Sequence, residues 1–111
     1  MFKDEKEALK RATKKLERLM GDNLLTVLAF GSRVRGDFSG DSDFDVLVVV
    51  RKRTFQIIDE VNGAFYAEEE KTGIPFSVIV KTEGAFEKER KHDTAFYRNM
   101  KEEGFLLYGA A

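Results

Sequence analysis

The segment Gly31–Asp45 combines small residues at its start with carboxylates at its end. Gly31 and Ser32 follow an apolar run, where backbone N–H groups and a hydroxyl can come close to an anion. Arg33 and Arg35 follow, and each is either a positive charge that binds phosphate groups or a plain surface residue. The first half of the segment therefore predicts a phosphate-binding loop.

The second half of the segment carries two carboxylates, Asp43 and Asp45, where the next apolar run begins. Residues two apart in a β-strand point to the same side, so both carboxylates are expected to face one place. Such a pair repels itself and is costly to desolvate unless a cation neutralises it. Mg²⁺ is commonly held by one or two carboxylates together with substrate phosphates. The segment thus predicts metal-assisted nucleotidyl transfer. Ser42 either braces the carboxylates or simply begins the strand.

Apolar runs predict the strands that position this segment. Leu24–Phe30 precedes it and Phe44–Val50 ends it, and both runs have the length of a buried strand. Ile74–Val80 predicts a third strand, with Pro75 near its start, where a missing N–H does least harm. Phe105–Tyr108 predicts a short edge strand. An apolar edge of this kind is able to pair with another chain, so a homo-oligomer stays open.

Apolar stripes and capping residues predict helices that cover these strands. The predicted helices are Asp4–Met20 with the stripe Leu9, Ala12, Leu16 and Leu19, Thr54–Lys71 with Thr54 as its cap, Thr82–Glu89, and Asp93–Glu103 with Asp93 as its cap. This order predicts an α/β (α+β) fold in one domain over residues 1–111. Its small mixed sheet has three to four strands, with helices packed mainly on one side.

The composition excludes several classes of protein and site. The 111 residues are 42% hydrophobic and 35% charged, which is typical of a soluble globular domain. A net charge of −1 argues against direct nucleic-acid binding. The lack of Cys excludes disulfides and Cys-based zinc sites. No apolar run approaches the roughly 18 residues of a membrane span and the start is charged, so a cytoplasmic location without membrane contact is expected.

The remaining polar residues are predicted to be structural or solvated. His92 is the only histidine and lies between charged residues, which predicts an exposed position. Tyr66 is predicted at the edge of the core, and Glu68–Glu70 at a solvated helix end.

The combined motifs resemble a known family. Gly31-Ser32, ten residues and Asp43-Phe44-Asp45 resemble the G-S-x10-D-x-D signature of the DNA polymerase beta-like nucleotidyltransferase superfamily. G-S-R-V-R-G followed by S-D-F-D-V-L-V is similar to the minimal nucleotidyltransferase (MNT) family, and this resemblance covers nearly the whole chain. It implies that Gly31 and Ser32 contact the triphosphate of an NTP, with ATP expected. It also implies that Asp43 and Asp45 bind Mg²⁺ and take part in catalysis.

The chain departs from the family pattern at one position. Catalytically complete members carry a third carboxylate on the neighbouring strand, which helps to bind a second metal and to activate the attacking hydroxyl. Here the matching position holds Ser77 or, by one register, Phe76, and neither acts as a general base at pH 7. Glu83 is the nearest later acid, but it lies beyond the predicted strand.

The resemblance therefore leaves two functions open. In the first, the chain moves AMP from ATP to a hydroxyl on a HEPN-domain toxin and acts as its antitoxin. A protein acceptor would explain why no second substrate lobe is present. In the second, the chain is a nucleotide-binding antitoxin module with little or no catalysis, which masks a HEPN partner. The missing third carboxylate favours the second function, and the retained Gly31-Ser32 and Asp43/Asp45 favour the first.

Overall fold

The computed structural model describes residues 1–36 and 43–109, except for the side chains of Ser32 and Arg35. The predicted roles of Ser42 and of the Ser32 and Arg35 side chains therefore lie outside the described residues.

Helices and strands alternate along most of the described chain. They are α1 (Lys3–Met20), β1 (Leu24–Phe30), α2 (Ser32–Arg35), β2 (Phe44–Val50), α3 (Phe55–Thr72), β3 (Phe76–Thr82), α4 (Glu83–Lys91), α5 (Ala95–Glu103) and β4 (Phe105–Gly109). A short 3-10 turn over Gly21–Asn23 joins α1 to β1.

The strands of the described ranges form one mixed sheet in the order β3-β2-β1-β4. β1 runs antiparallel to both β2 and β4, whereas β2 and β3 are parallel. The parallel pair follows from the connection through α3, because parallel neighbours need a long crossover and not a tight turn. The predicted α/β fold with a small mixed sheet is confirmed, and the sheet has four strands, the larger of the two predicted numbers.

The two faces of the sheet are covered unequally. The long helices α1 and α3 pack on one face, where Leu9, Leu16, Val46, Val48 and Phe65 lie in the main core. The short helices α4 and α5 cover part of the opposite face over a smaller cluster of Leu28, Leu47, Val49 and Met100. Apolar residues therefore line both faces of β2, which explains its uninterrupted apolar sequence. The part of the second face that α4 and α5 leave open contains Asp45.

The predicted helices are present, but the caps or bounds of two of them, α4 and α5, are corrected. Thr94, and not Asp93, caps α5, because its hydroxyl accepts a hydrogen bond from the N–H of Tyr97. Asp93 instead adopts a φ of 47° in the turn that precedes Thr94. Thr82 lies just before α4 as its cap, and this helix continues to Lys91.

Two other predicted details are corrected by packing. β3 begins at Phe76 and not at Ile74, and the N–H of Phe44 donates to the carbonyl of Pro75 just before the strand. Leu19 is exposed at the end of α1, and Met20 takes its place in the core.

The predicted solvated end of α3 is instead tied to its neighbours. Glu68 is buried and forms an ion pair with Arg11 of α1, with 2.8 Å between the charged atoms. Glu69 accepts a hydrogen bond from the N–H of Phe76 at the start of β3. Tyr66, predicted at the core edge, is 60% exposed. His92 is exposed as predicted.

The search for membrane spans covered residues 1–36 and 43–109, and no helix there is long and apolar enough to cross a bilayer.

Candidate active site

Gly31 and Asp45 lie in direct contact where β1 ends and β2 begins. Gly31 has a φ of 92°, a conformation that residues with a Cβ rarely adopt. A Cβ placed on Gly31 would lie 2.5 Å from Oδ2 of Asp45, well inside van der Waals contact. Any larger residue would therefore push this carboxylate away. Glycine is required here both by the backbone and by the close approach of the carboxylate.

The two aspartates lie at the start of β2, with Asp43 exposed and Asp45 half-buried. Burial raises the pKa of the Asp45 carboxyl, and the negative charge of Asp43 raises it further. Both effects oppose ionisation of Asp45 in the protein alone. A divalent cation reverses them, because it neutralises both carboxylates at once.

The two aspartates fit a metal ion whose remaining ligands come from a bound substrate. In the described part of the chain, no group of three or more His, Asp or Glu residues comes together to hold a metal ion. A pair of carboxylates beside a glycine turn nevertheless has the donor chemistry of a divalent-cation site that substrate phosphate oxygens would complete. Asp43 and Asp45 are the residues that would hold such an ion.

The backbone turns sharply after Gly31. α2 begins at Ser32, and the N–H of Val34 donates to the carbonyl of Gly31 at 3.2 Å. This turn directly follows the position where Gly31 meets Asp45. The phosphate-binding role of this turn stays a prediction.

Arg33 has a structural position that its predicted role did not include. Its guanidinium forms an ion pair with Glu5 of α1 at 2.8 Å, and both side chains are almost fully buried. It also stacks over the ring of Phe44, 5.1 Å from the ring centroid. Phe44 faces the main core, on the side of the sheet opposite Asp45, so the described contacts of Arg33 do not bring it to the carboxylates. Arg33 therefore fixes α2 to α1.

Ser77 lies beside Asp45 in the sheet. The parallel register of β2 and β3 pairs Asp45 with Ser77 and Phe44 with Phe76. Paired residues of neighbouring strands point to the same face, so Ser77 shares the open face with Asp45, whereas Phe76 points into the core. Ser77 is exposed, and Glu83 lies beyond β3 at the start of α4. The register thus selects Ser77 for the place expected of the third carboxylate.

An aromatic group next to Asp45 was not found from the sequence. Phe30 pairs with Asp45 across β1 and β2, and its ring meets Phe96 of α5 edge-on with centroids 5.8 Å apart. The ammonium of Lys81 lies 5.1 Å from the centroid of Phe96 and 3.4 Å from Glu89. Phe30 directly precedes Gly31, but only the strand order shows that its ring lies beside the carboxylate.

With the fold and site in place, comparison with known proteins identifies the family. Residues 5–104 match the family model described as a nucleotidyltransferase domain. The chain belongs to this family. The resemblance that the paired motifs imply is therefore confirmed, and the contact between Gly31 and Asp45 shows how the two motifs of this nucleotidyltransferase domain meet in space.

A relative in Methanocaldococcus jannaschii is similar over almost its entire length. Named "Putative protein adenylyltransferase", it is 31% identical over 105 residues, which are 95% of this chain and 99% of the relative.

Solved structures of toxin–antitoxin complexes share the fold. One, a toxin–antitoxin with AMP-PNP, matches with a TM-score of 0.60 at 18% identity, over 91% of this chain and 73% of that one. Another contains a tri-AMPylated HEPN toxin and an MNT antitoxin from Shewanella oneidensis. It matches with a TM-score of 0.52 at 16% identity, over 94% of this chain and 72% of that one. At these identities the likeness establishes the fold of the nucleotidyltransferase domain.

Proposed function

We propose that this nucleotidyltransferase domain moves AMP from Mg²⁺-bound ATP to a hydroxyl group of a protein. The observation that carries the proposal is the contact between Gly31 and the Asp45 carboxylate. This contact supports the proposal, because it joins the turn that would receive phosphate to the carboxylate pair that a cation would neutralise. The name of the M. jannaschii relative supports adenylyl transfer and a protein acceptor.

In the proposed reaction, the acceptor oxygen forms a bond to the α-phosphorus of ATP. The bond from that phosphorus to the bridging oxygen breaks, and pyrophosphate leaves. Backbone N–H groups after Gly31 would hold the phosphates, and Asp43 and Asp45 would hold Mg²⁺, which would offset the charge that develops on the phosphate oxygens. Ser77 cannot take the acceptor proton at neutral pH, so this proton passes to a base of the acceptor or to water.

The proposed acceptor is a HEPN-domain toxin, for which this chain acts as the antitoxin. Two structures that share the fold are toxin–antitoxin complexes, and one of them contains an AMP-modified HEPN toxin.

The test is a transfer assay with a HEPN-domain toxin as the acceptor. Wild-type protein, Mg²⁺ and labelled ATP are mixed with that protein, and intact mass spectrometry measures the addition of AMP. We expect one or more additions of AMP, and their loss in Asp43→Asn and Asp45→Asn. Glu87→Gln, which changes an exposed carboxylate of α4, is the matched control and should retain full transfer.

A second candidate function is masking of the partner without transfer. The observation that favours it is Ser77, which replaces a carboxylate directly beside Asp45. If the wild-type protein forms a tight complex with the HEPN-domain protein and adds no AMP, transfer is rejected and masking is accepted.

A further inference from the structure

Asp45 has two chemically different neighbours on the open face of the sheet. On β3 it pairs with Ser77, which is exposed and polar, and on β1 it pairs with Phe30, which is partly exposed. Along its own strand, the next residue on this face is Leu47, which is buried in the smaller core cluster. Of these three neighbours, Ser77 and Phe30 are therefore the ones whose surface a bound molecule can reach.

The ring of Phe30 lies close to the carboxylate and is partly uncovered. Side chains directly opposite each other on antiparallel strands begin about 5 Å apart, which sets the separation of Phe30 and Asp45. Phe30 meets Phe96 edge-on, with the two ring planes at 81°. In such a contact the edge of one ring is directed at the face of the other. Whichever ring supplies the edge, Phe96 leaves at least one face of Phe30 free.

The second ring of this pair is held in place by α5 and β3. Phe96 lies in the first turn of α5, and the ammonium of Lys81 lies 5.1 Å from its centroid. Lys81 also lies 3.4 Å from Glu89, and the hydroxyl of Thr94 donates to the same carboxylate. Because these polar groups bind one another, Phe96 is fixed at the base of α5 and supports Phe30 from that side.

A nucleotide at the candidate site has one part that the turn and the carboxylates do not bind. In the proposed function, the phosphates lie at the Gly31 turn and the metal lies at Asp43 and Asp45. The nucleoside then extends from the α-phosphate over a neighbour of Asp45. A nucleobase has flat faces that stack on aromatic side chains, whereas Ser77 offers no ring. The chemistry of the base therefore matches Phe30.

We propose that the base of the bound nucleotide stacks on the ring of Phe30, and that Phe96 is a positioning residue that holds this ring in place. This rests on the proposed function, because it requires the phosphates and the metal to lie at Asp45. Stacking of a base on an aromatic side chain contributes roughly 5- to 150-fold to affinity. Phe30 thus makes the site bind a nucleotide more tightly than a triphosphate that lacks a base.

The test compares two ligands, one with a base and one without, by isothermal titration calorimetry of the full chain. The probes are ATP and inorganic tripolyphosphate, each with Mg²⁺, and neither measurement depends on AMP transfer. We expect wild type to bind ATP at least about fivefold more tightly than tripolyphosphate. Equal affinities for the two ligands would overturn the proposal, because the base then contributes nothing.

Phe30→Leu removes the ring and keeps an apolar side chain against α5. It should weaken the binding of ATP by at least about fivefold and leave the binding of tripolyphosphate unchanged. Phe30→Tyr keeps the ring and should bind ATP as wild type does. Phe86→Leu is the matched control, because Phe86 packs on the same cluster but its ring contact is with Tyr97, with centroids 5.9 Å apart. This control should leave both affinities unchanged.

Phe96→Leu tests the positioning role. It should weaken the binding of ATP by a smaller factor than Phe30→Leu and leave the binding of tripolyphosphate unchanged. In the double variant it should cause no further loss, because the ring that it positions is already gone. Losses that multiply in the double variant would show that Phe96 acts independently of Phe30, and would overturn its assigned role.

The outcomes separate this proposal from the proposed function. If Phe30→Leu binds ATP as wild type does, while Asp43→Asn/Asp45→Asn loses the Mg²⁺-dependent binding, stacking is rejected and the nucleotide site remains. If Phe30→Leu weakens ATP and tripolyphosphate equally, stacking is also rejected, because the substitution then acts on the phosphate turn. A loss confined to ATP, in a protein that transfers no AMP, supports stacking and counts against transferase activity. If wild type binds neither ligand, both proposals are rejected.

Discussion

At the scale of single residues, Gly31 couples the two halves of the candidate site. Its positive φ and its contact with Asp45 are two separate reasons why glycine is needed here, and only the first of them applies to Gly36. Gly36 has a φ of 83°, and a Cβ there would meet no atom of the described residues within 4 Å. The two glycines thus form a matched pair.

We predict that Gly31→Ala and Gly36→Ala both destabilise the fold, each by about 1–3 kcal/mol from backbone strain. Only Gly31→Ala should also displace Asp45 and reduce AMP transfer, by about 100-fold, as expected when a reacting group is misplaced by about 1 Å. Thermal unfolding and the transfer assay measure the two effects. Equal transfer by both variants would show that the contact between Gly31 and Asp45 is not needed.

Asp45 provides a prediction about pH. Its pKa is raised in the folded protein, so its ionised form opposes folding. The contribution of Asp45 to the free energy of unfolding is most favourable below the pKa of about 4 that its carboxyl has in the unfolded chain. It is lost as the pH rises through the raised pKa of the folded protein. Without metal, Asp45→Asn should therefore increase the free energy of unfolding at pH 7, by less than about 1 kcal/mol because solvent screens this partly exposed group.

The difference between wild type and Asp45→Asn should vanish as the pH falls below about 4, where the wild-type carboxyl is protonated. Urea denaturation at several pH values, with a chelator present, measures this. If Asp45→Asn is less stable than wild type at pH 7, the ionised Asp45 carboxylate does not destabilise the folded protein.

Ser77 provides a gain-of-function prediction. Because Ser77 pairs with Asp45, Ser77→Asp places a third carboxylate on the open face. A positioned general base contributes about 100- to 10,000-fold to a rate, so we expect transfer at neutral pH to rise at least tenfold. Ile79→Asp is the control, since Ile79 lies on the same face beside Leu47 and should leave the rate unchanged. A lower rate in Ser77→Asp alone would mean that the acceptor requires this position to be uncharged.

At the scale of helices and strands, the site depends on how α2 is attached to α1. Arg33 and Glu5 form a buried ion pair, and Glu5 also accepts a hydrogen bond from the N–H of Phe2 at the start of α1. One carboxylate thus caps α1 and anchors the turn that carries Gly31.

We predict that Glu5→Ala destabilises the protein by about 3–5 kcal/mol, because it leaves the buried guanidinium without this carboxylate. Adding Arg33→Met should restore part of the lost stability, because an apolar side chain at this buried site carries no charge that must be neutralised. The exposed pair of Glu87 and Arg90 is the comparison, and Glu87→Ala should leave the free energy of unfolding nearly unchanged, because solvent screens this pair. Urea denaturation of the variants measures these values, and similar losses for Glu5→Ala and Glu87→Ala would contradict a structural role for Arg33.

Local patterns predicted the elements well, and contacts distant in sequence explain the failures. β2 and the cap at Thr54 follow from neighbouring residues and were predicted. The ion pair of Arg33 with Glu5 could not be predicted, because the two residues are 28 positions apart on different helices; the phosphate role of Arg33 stays a prediction. Glu68 was assigned to solvent because its partner Arg11 lies 57 positions away in sequence. Of the two positions left open for the third carboxylate, only the register of β2 and β3 selects Ser77.

At the scale of the whole molecule, substrate binding and fold stability should be coupled through Asp43 and Asp45. The carboxylate pair and the turn at Gly31 join β1 to β2, the central strands of the sheet. A ligand that binds this junction in the folded state alone must stabilise the whole protein. Because the carboxylates repel phosphates as well as each other, the stabilising species should be the metal–nucleotide complex.

We predict that Mg²⁺ with ATP at about 100 times its Kd raises the Tm by roughly 10–20 °C, from about 2.7 kcal/mol of binding and 4–8 °C per kcal/mol for a domain near this size. ATP with a chelator should give a much smaller rise, because no cation then offsets the repulsion between the phosphates and Asp43 and Asp45. For the double variant Asp43→Asn/Asp45→Asn, ATP should raise the Tm by the same amount with and without Mg²⁺. This variant has lost both the carboxylates that repel the phosphates and the ligands of the metal. Differential scanning calorimetry at matched ionic strength measures these shifts. Equal rises for wild type with and without Mg²⁺ would place nucleotide binding away from the carboxylate pair and reject the metal-dependent site.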